Sequence, residues 1–213
     1  VPRLLVLRHA QSVANAAGVF QGWSDAPLSE LGEAQAKVAG RALAQAGVKP
    51  ALVASSDLLR ARRTAELLAV ETGYAGQLLV DPGLREQDLG AWNGLTRQEV
   101  AALWPGELAQ RDSGAIVDVA GGEPGQAFRQ RCLEALGRVA AACQESEEAV
   151  VVAHGGVLVA LEQAAGAWRP ELRHPNLSGW WVEVSNSGAE VELSAPQRVE
   201  VLATGVEVVS TPK

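Results

Sequence analysis

Three short segments of the chain share a layout in which an apolar run breaks off at polar or cationic residues before a helix-like stretch. Leu4-Leu5-Val6-Leu7 runs into Arg8-His9-Ala10-Gln11-Ser12, Ala51-Leu52-Val53-Ala54 into Ser55-Ser56-Asp57-Leu58-Leu59-Arg60, and Val150-Val151-Val152-Ala153 into His154-Gly155-Gly156. If the runs are strands of an open α/β sheet, their carboxyl ends bring two arginines and two imidazoles to the crevice where such sheets bind ligands. That set is an anion site containing a nucleophile. Each residue also has a plainer reading. His9 alone suits a strand-end histidine bonded to its neighbours, and Arg60 alone suits a helix-surface arginine like Arg62 and Arg63. Arg8 beside His9 favours the shared site. So does Gly155-Gly156, which removes Cβ atoms where a helix N-terminus would meet a phosphate.

Glu86 is a further candidate. It follows Leu84 in a strand-like context and precedes the aromatic, glycine-bounded turn Leu89-Gly90-Ala91-Trp92-Asn93-Gly94. A carboxyl in such a partly apolar place holds its proton nearer neutrality and can act as a general acid. Asp57 and Asp88 read as cap and turn residues.

The elements that must position these groups alternate between strand and helix. Residues 3–7 read as a buried strand, 11–27 as a loop, and 29–46 as a helix capped by Ser29 and stopped at Gly47. A strand at 51–54 feeds a helix that starts near Ser56 or Asp57 and ends by Gly73, which puts Arg60 in its first turn. Short elements follow at Leu78–Val80 (strand) and Thr96–Leu103 (helix, stopped at Pro105). Residues 106–125 are glycine-rich with weak periodicity and read as a mobile loop or lid. A long helix over 126–143 buries Phe128, Cys132, Leu136 and Val139, and a strand at 149–153 leads to a helix at 157–165. Trp180–Val184, Glu190–Leu193 and Arg198–Leu202 alternate like antiparallel edge strands. The fold class that follows is a three-layer α/β/α sandwich, in one domain over residues 1–213, with a mainly parallel central sheet and an antiparallel edge.

Composition narrows the function classes. The 213 residues are 47% hydrophobic and 20% charged, as in globular proteins, and no apolar run approaches the length needed to span a bilayer. The first apolar stretch is too short for a signal-peptide core, so a soluble, cytoplasmic protein is expected. A net charge of −7 argues against nucleic acid or an anionic membrane as partner. Cys132 and Cys143 are too far apart along one helix for a disulfide, and without a close Cys/His cluster no metal site is expected. Methionine is absent, which implies that the initiator was removed or not included.

Taken together, Leu7-Arg8-His9-Ala10-Gln11-Ser12, Ser55 to Ala65, Leu84 to Gly94 and Val152-Ala153-His154-Gly155-Gly156 resemble the histidine phosphatase superfamily, also called phosphoglycerate mutase-like. Gly22-Trp23-Ser24-Asp25-Ala26-Pro27-Leu28-Ser29 and Gly121-Gly122-Glu123 fit the same pattern, and the blocks stand in the family's order. The resemblance places the catalytic set on Arg8, His9, Arg60, Glu86 and His154. It places substrate-holding positions on Asn15, Gln21 and Gly22. Two departures are Ala10, where the family most often has glycine, and Pro124 after Gly-Gly-Glu, which leaves the role of Glu123 open. Residues after 170 carry no family signature.

What the resemblance implies is a metal-independent, cofactor-free phosphomonoester hydrolase acting on a small molecule through a phosphohistidine at His9. The same site would serve a bisphosphoglycerate-dependent mutase. In mutases of this kind arginine and histidine follow the glutamate, whereas Glu86 is followed by Gln87-Asp88-Leu89-Gly90, as in the phosphatase branch. A non-catalytic phospholigand-binding module is the third reading, and it fits poorly with five intact core positions. Substrate identity, which would be set by residues 13–27 and 95–125 including Trp104, is not encoded legibly. Oligomeric state is equally open, a homodimer included.

Overall fold

The computed structural model describes residues 1–187, 190–202 and 205–208. Its strands form one sheet in the order β3-β2-β4-β1-β5-β6-β7. β1 (Arg3–Arg8), β2 (Leu52–Ser55), β3 (Leu79–Val80) and β4 (Glu148–Ala153) run parallel. β5 (Ser178–Ser187), β6 (Glu190–Leu202) and β7 (Gly205–Val208) form the antiparallel side. The helices are α1 (Val13–Ala16), α2 (Glu30–Gln45), α3 (Leu59–Thr72), α4 (Arg97–Leu103), α5 (Pro105–Asp112), α6 (Gly125–Ala141) and α7 (Gly155–Ala164).

β1 shows why the sheet is covered on both faces. Leu5 and Leu7 pack with Ala36, Leu43, Ala65 and Leu68 of α2 and α3, while Leu4 and Val6 pack with Phe128, Leu136, Leu158 and Leu161 of α6 and α7. Successive side chains of a strand point to opposite faces, so an unbroken apolar run needs a helix layer on each side. The result is the three-layer α/β/α sandwich with an antiparallel edge. β1 sits between β4 and β5, and its carboxyl end therefore opens at the middle of the sheet.

The structure differs from the sequence reading in several places: residues 13–16 of the expected loop form α1, α7 begins at Gly155 rather than Val157, and β7 is an additional strand. α3 begins at Leu59 rather than at Ser56 or Asp57, because Asp25 of the preceding loop supplies its cap by accepting the Leu59 amide at 2.6 Å. Asp57 is instead paired with Arg85, at 2.8 and 2.6 Å. Residues 105–112 are helical: Pro105 both ends α4 and opens α5, where its fixed φ and missing N–H are tolerated. The segment beyond is tied down rather than loose, since Val117 and Val119 are buried and Gln87 Nε2 donates to the Val117 and Glu123 carbonyls at 2.9 Å. Finally, the two segments expected at 190–193 and 198–202 are one strand, β6. Pro196 interrupts its polar alternation, and the pairing with β5 shifts register between Trp181 and Glu183, the kind of irregularity at which a strand admits proline.

Candidate active site

At the carboxyl ends of β1, β2 and β4 lies a cavity of about 480 Å³ lined by Arg8, His9, Arg60 and Glu86, with Asn15, Gln21 and Gly22 on its wall. His154 is nearby but beneath this surface. It is fully buried, and its ring centroid is 5.1 Å from that of His9 with the planes at 63°. All eight residues singled out from the sequence are thus in one place.

The state of His9 follows from its bonds. One ring nitrogen, Nδ1, lies 2.6 Å from the Ala10 carbonyl, while Arg60 Nε donates to the other, Nε2, at 3.2 Å. A carbonyl can only accept and a guanidinium only donate, so the proton is on Nδ1 and the lone pair on Nε2. Burial, followed by the charges of Arg8 and Arg60, holds the imidazole well below its ordinary value of 6.5, so the ring is neutral at neutral pH. His154 is held down in the same way by burial and then by Arg60, His9 and Arg8. It is therefore neutral at neutral pH, and neither of its ring nitrogens has a hydrogen-bond partner among the described residues.

The two arginines are fixed by backbone carbonyls rather than by carboxylates. Arg60 donates to the Gly22 and Ser24 carbonyls, both at 2.8 Å, and Arg8 donates to the carbonyl of His174. Their charge therefore remains available to an anion. Burial pulls Arg60 down to about 10, against the opposing field of Glu86 and Asp25, and it stays protonated at neutral pH. Gly22 makes this clamp possible: its φ is +47°, and a Cβ there would lie 2.2 Å from Asn93 Oδ1. Its carbonyl orients Arg60. Asn15 and Gln21 both bond to Ser12, in the capping box of α1 and at 3.0 Å to the Ser12 hydroxyl respectively.

Glu86 is gripped from two sides. Its carboxylate accepts the Gln87 amide at 2.9 Å and the Gly156 amide at 3.2 Å. Its carbonyl accepts Trp23 Nε1 at 2.8 Å and Arg131 at 3.3 Å. A Cβ on residue 156 would come within 2.2 Å of Glu86 Oε1, so the second glycine of His154-Gly155-Gly156 makes room for the carboxylate, while a Cβ on residue 155 would meet the Arg8 side chain only at an ordinary contact distance of 3.9 Å. Glu123, whose role the sequence leaves open, forms a two-point ion pair with Arg131 at 2.8 and 2.6 Å. Arg131 in turn donates to the Gly83 and Arg85 carbonyls and so holds the segment that carries Glu86.

Sequence reasoning missed residues 173–177. The Asn176 side chain donates to the His9 carbonyl at 2.7 Å, the Leu177 amide to the Arg8 carbonyl at 3.0 Å, and the His174 carbonyl takes Arg8. His174 Nε2 faces Glu162 Oε2 of α7 at 3.3 Å without hydrogen-bond geometry, and the other oxygen of that buried carboxylate accepts Trp180 Nε1 at 2.8 Å. The available signal was that His174 is one of only three histidines in the chain. Glu162→Ala is expected to lower stability by about 2–4 kcal/mol, because it strands the buried Trp180 indole N–H and leaves a cavity beside His174. Urea unfolding of the two proteins checks this, and a loss under about 0.5 kcal/mol would show that the anchor is dispensable.

Among the described residues, no three His, Cys, Asp or Glu side chains are grouped to hold a metal ion, and no helix is long and apolar enough to cross a membrane.

The likeness to known proteins runs along most of the chain. A glucosyl-3-phosphoglycerate phosphatase of Mycolicibacterium vanbaalenii is 39% identical over 196 residues, which cover 87% of this chain and 84% of that one. A 2,3-bisphosphoglycerate-dependent phosphoglycerate mutase of Methylocella silvestris is 47% identical, but over 107 residues, about half of each chain (49% and 52%). Among solved structures, a mycobacterial glucosyl-3-phosphoglycerate phosphatase complexed with VO3 superposes with a TM-score of 0.76 at 32% identity, covering 91% of this chain and 97% of that one. The sequence profile of the histidine phosphatase superfamily, branch 1, matches residues 4–195, and the chain belongs to that superfamily.

Proposed function

We propose that the protein hydrolyses small phosphomonoesters in two displacements at phosphorus. The observation that carries this reading is the neutral His9 imidazole, its Nε2 lone pair directed at Arg60 within a cavity that also holds Arg8 and Glu86. A dianionic phosphoryl group entering between the arginines takes the guanidinium donors, whose planar forks match its oxygens. His9 Nε2 then attacks phosphorus in line and the bond to the ester oxygen breaks. Glu86 delivers a proton to that oxygen as it leaves. In the second displacement Glu86 takes a proton from water, the oxygen attacks phosphorus, and the N–P electron pair returns to His9 as phosphate departs. Arg8, Arg60 and the single N–H of the neutral His154 ring stabilise the charge that spreads over the equatorial oxygens in both steps. Asn15 and Gln21 hold the substrate from the α1 side.

Two points favour hydrolysis over mutase chemistry. The likeness to a protein named a phosphatase covers 87% of the chain at 39% identity, whereas likenesses to mutases cover 49% of it at 47% identity and 74% at 33%. The residue after Glu86 is also Gln87, whose buried amide is spent on the Val117 and Glu123 carbonyls.

Because the charge is neutralised by guanidinium groups, turnover of phosphomonoesters, glucosyl-3-phosphoglycerate among them, is expected to be unchanged in EDTA. Vanadate, which adopts the trigonal bipyramid of the transition state, is expected to inhibit far below substrate KM. Loss of activity in chelator with recovery on adding a divalent ion would overturn the reading, and so would rapid bisphosphoglycerate-dependent interconversion of 2- and 3-phosphoglycerate.

A further inference from the structure

Thr64 stands one helical turn beyond Arg60 on α3 and is fully buried. Its hydroxyl donates to the Arg60 carbonyl at 2.7 Å, an ordinary bond for a threonine inside a helix. A second contact is not ordinary. The backbone amide of Ala10, just past the end of β1 and equally closed to solvent, donates to the same oxygen at 3.1 Å. With the bonds of His9 these two close a ring. Arg60 Nε donates to His9 Nε2 at 3.2 Å, His9 Nδ1 to the Ala10 carbonyl at 2.6 Å, the Ala10 amide to Thr64, and Thr64 to the Arg60 carbonyl. A guanidinium and an amide only donate and a carbonyl only accepts, so the hydroxyl proton has one place and the imidazole proton has one place. That arrangement leaves the lone pair on Nε2.

We propose that Thr64 is a positioning residue for the nucleophile: its hydroxyl, acting through Ala10, fixes the carbonyl that holds the His9 ring and so keeps Nε2 aimed at phosphorus. This rests on the hydrolase reading above and deepens it. When a phosphoryl group takes the donors of Arg60, the bond at Nε2 is given up, and the Ala10 carbonyl is left as the anchor of the ring. The direction of that carbonyl depends on the two peptides that flank Ala10. On one of them the Gln11 amide donates to Gln35 Oε1 at 3.1 Å, and on the other the His9 carbonyl accepts the Asn176 side chain at 2.7 Å. The Ala10 amide is the remaining end, and Thr64 holds it. Without the hydroxyl a buried N–H loses its acceptor, and the peptide turns to find another. Hydrogen bonds joined in series also polarise one another, so removing the hydroxyl weakens the Nδ1–H bond as well.

Thr64→Val keeps the shape of the side chain without the hydroxyl, and Thr64→Ser keeps the hydroxyl. In Thr64→Val, kcat is expected to fall by about 10- to 100-fold while KM changes by less than about threefold, because Arg8 and Arg60 retain the carbonyls that hold them. Thr64→Ser should return kcat to within about threefold of wild type. The His9 ring reports the cause directly. Proton NMR of the ligand-free wild type is expected to show a downfield Nδ1–H resonance, assigned by its absence in His9→Ala, that stays in place in Thr64→Ser and moves upfield in Thr64→Val. Should Thr64→Val not fold, Thr64→Ala is read in its place. Full kcat in the variant lacking the hydroxyl would overturn the positioning role. So would a lowered kcat with the resonance unmoved, a wild type without that resonance, or a loss in Thr64→Ser as large as in Thr64→Val. The resonance needs no turnover, so failure of the wild type to release phosphate from any ester would contradict the hydrolase reading alone.

Discussion

His9→Ala is expected to lose turnover by about 10⁵-fold or more, the scale seen when the nucleophile of a covalent mechanism is removed. No other group in the cavity offers a replacement. His154 is buried beneath the surface, the Nε2 of His174 on the cavity wall faces Glu162 at 3.3 Å, and the remaining nitrogens are protonated guanidinium groups or amides. Phosphate or vanadate should still bind the variant, since Arg8 and Arg60 keep the carbonyls that hold them. Retained binding with lost turnover separates a missing nucleophile from a collapsed site. Activity within about a hundredfold of wild type would mean that water attacks the ester directly. The pH dependence carries the same signature. Protonation removes the Nε2 lone pair, so kcat/KM falls as pH drops through the His9 pKa in the free enzyme. Burial, reinforced by Arg8 and Arg60, places that pKa well below 6.5. Once the substrate's own second ionisation is divided out, the acid limb should therefore lie below the ordinary imidazole range.

Glu86→Gln is expected to slow the first chemical step by about 10² to 10⁴ for an alkyl phosphate and by much less for p-nitrophenyl phosphate, whose leaving oxygen is far less basic. The substitution keeps the size of the side chain and an oxygen to accept one of the Gln87 and Gly156 amides, so the local geometry is disturbed as little as possible. Dephosphorylation of His9 can limit both esters in the steady state, because Glu86 also activates the water. The comparison thus requires single-turnover release of the alcohol. Equal losses for the two esters would make Glu86 a structural carboxylate that supports the N-terminus of α7.

Much of this site was legible in the sequence because its parts are local. An apolar run ended by Arg8-His9, or by His154-Gly155-Gly156, announces a buried parallel strand and the turn that follows, and the sheet needs only to set the strands side by side. Arg8, His9, Arg60, Glu86 and His154, read from their own surroundings, and Asn15, Gln21 and Gly22, which the family resemblance adds, converge. What stayed hidden depends on pairing over long distances. Residues 173–177 reach His9 because β5 lies antiparallel to β1, with Leu7 opposite Gly179, and no periodicity near His174 reveals that register. Arg131 resembles any helix arginine until its pairing with Glu123 and its grip on the 83–86 carbonyls are seen. Residues 106–112 read as loop because a glycine-rich stretch with weak periodicity masks the helix-forming Glu107-Leu108-Ala109-Gln110-Arg111 of α5. The charge state of His154 is not legible in the sequence either. Its burial beside Arg60 and Arg8 was not visible in one dimension, and it leaves the ring neutral before substrate arrives.

The central claim is that the phosphoryl group passes through His9, and a rapid-quench experiment on the wild type tests it most directly. The enzyme is mixed with excess phosphomonoester, stopped in alkali within a single turnover, and mapped by peptide mass spectrometry. The account predicts an acid-labile, alkali-stable phosphoryl group on the peptide carrying His9, formed before phosphate is released and absent in His9→Ala. Phosphate release with no phosphoenzyme at any time, or a label on another residue such as His154, would contradict it.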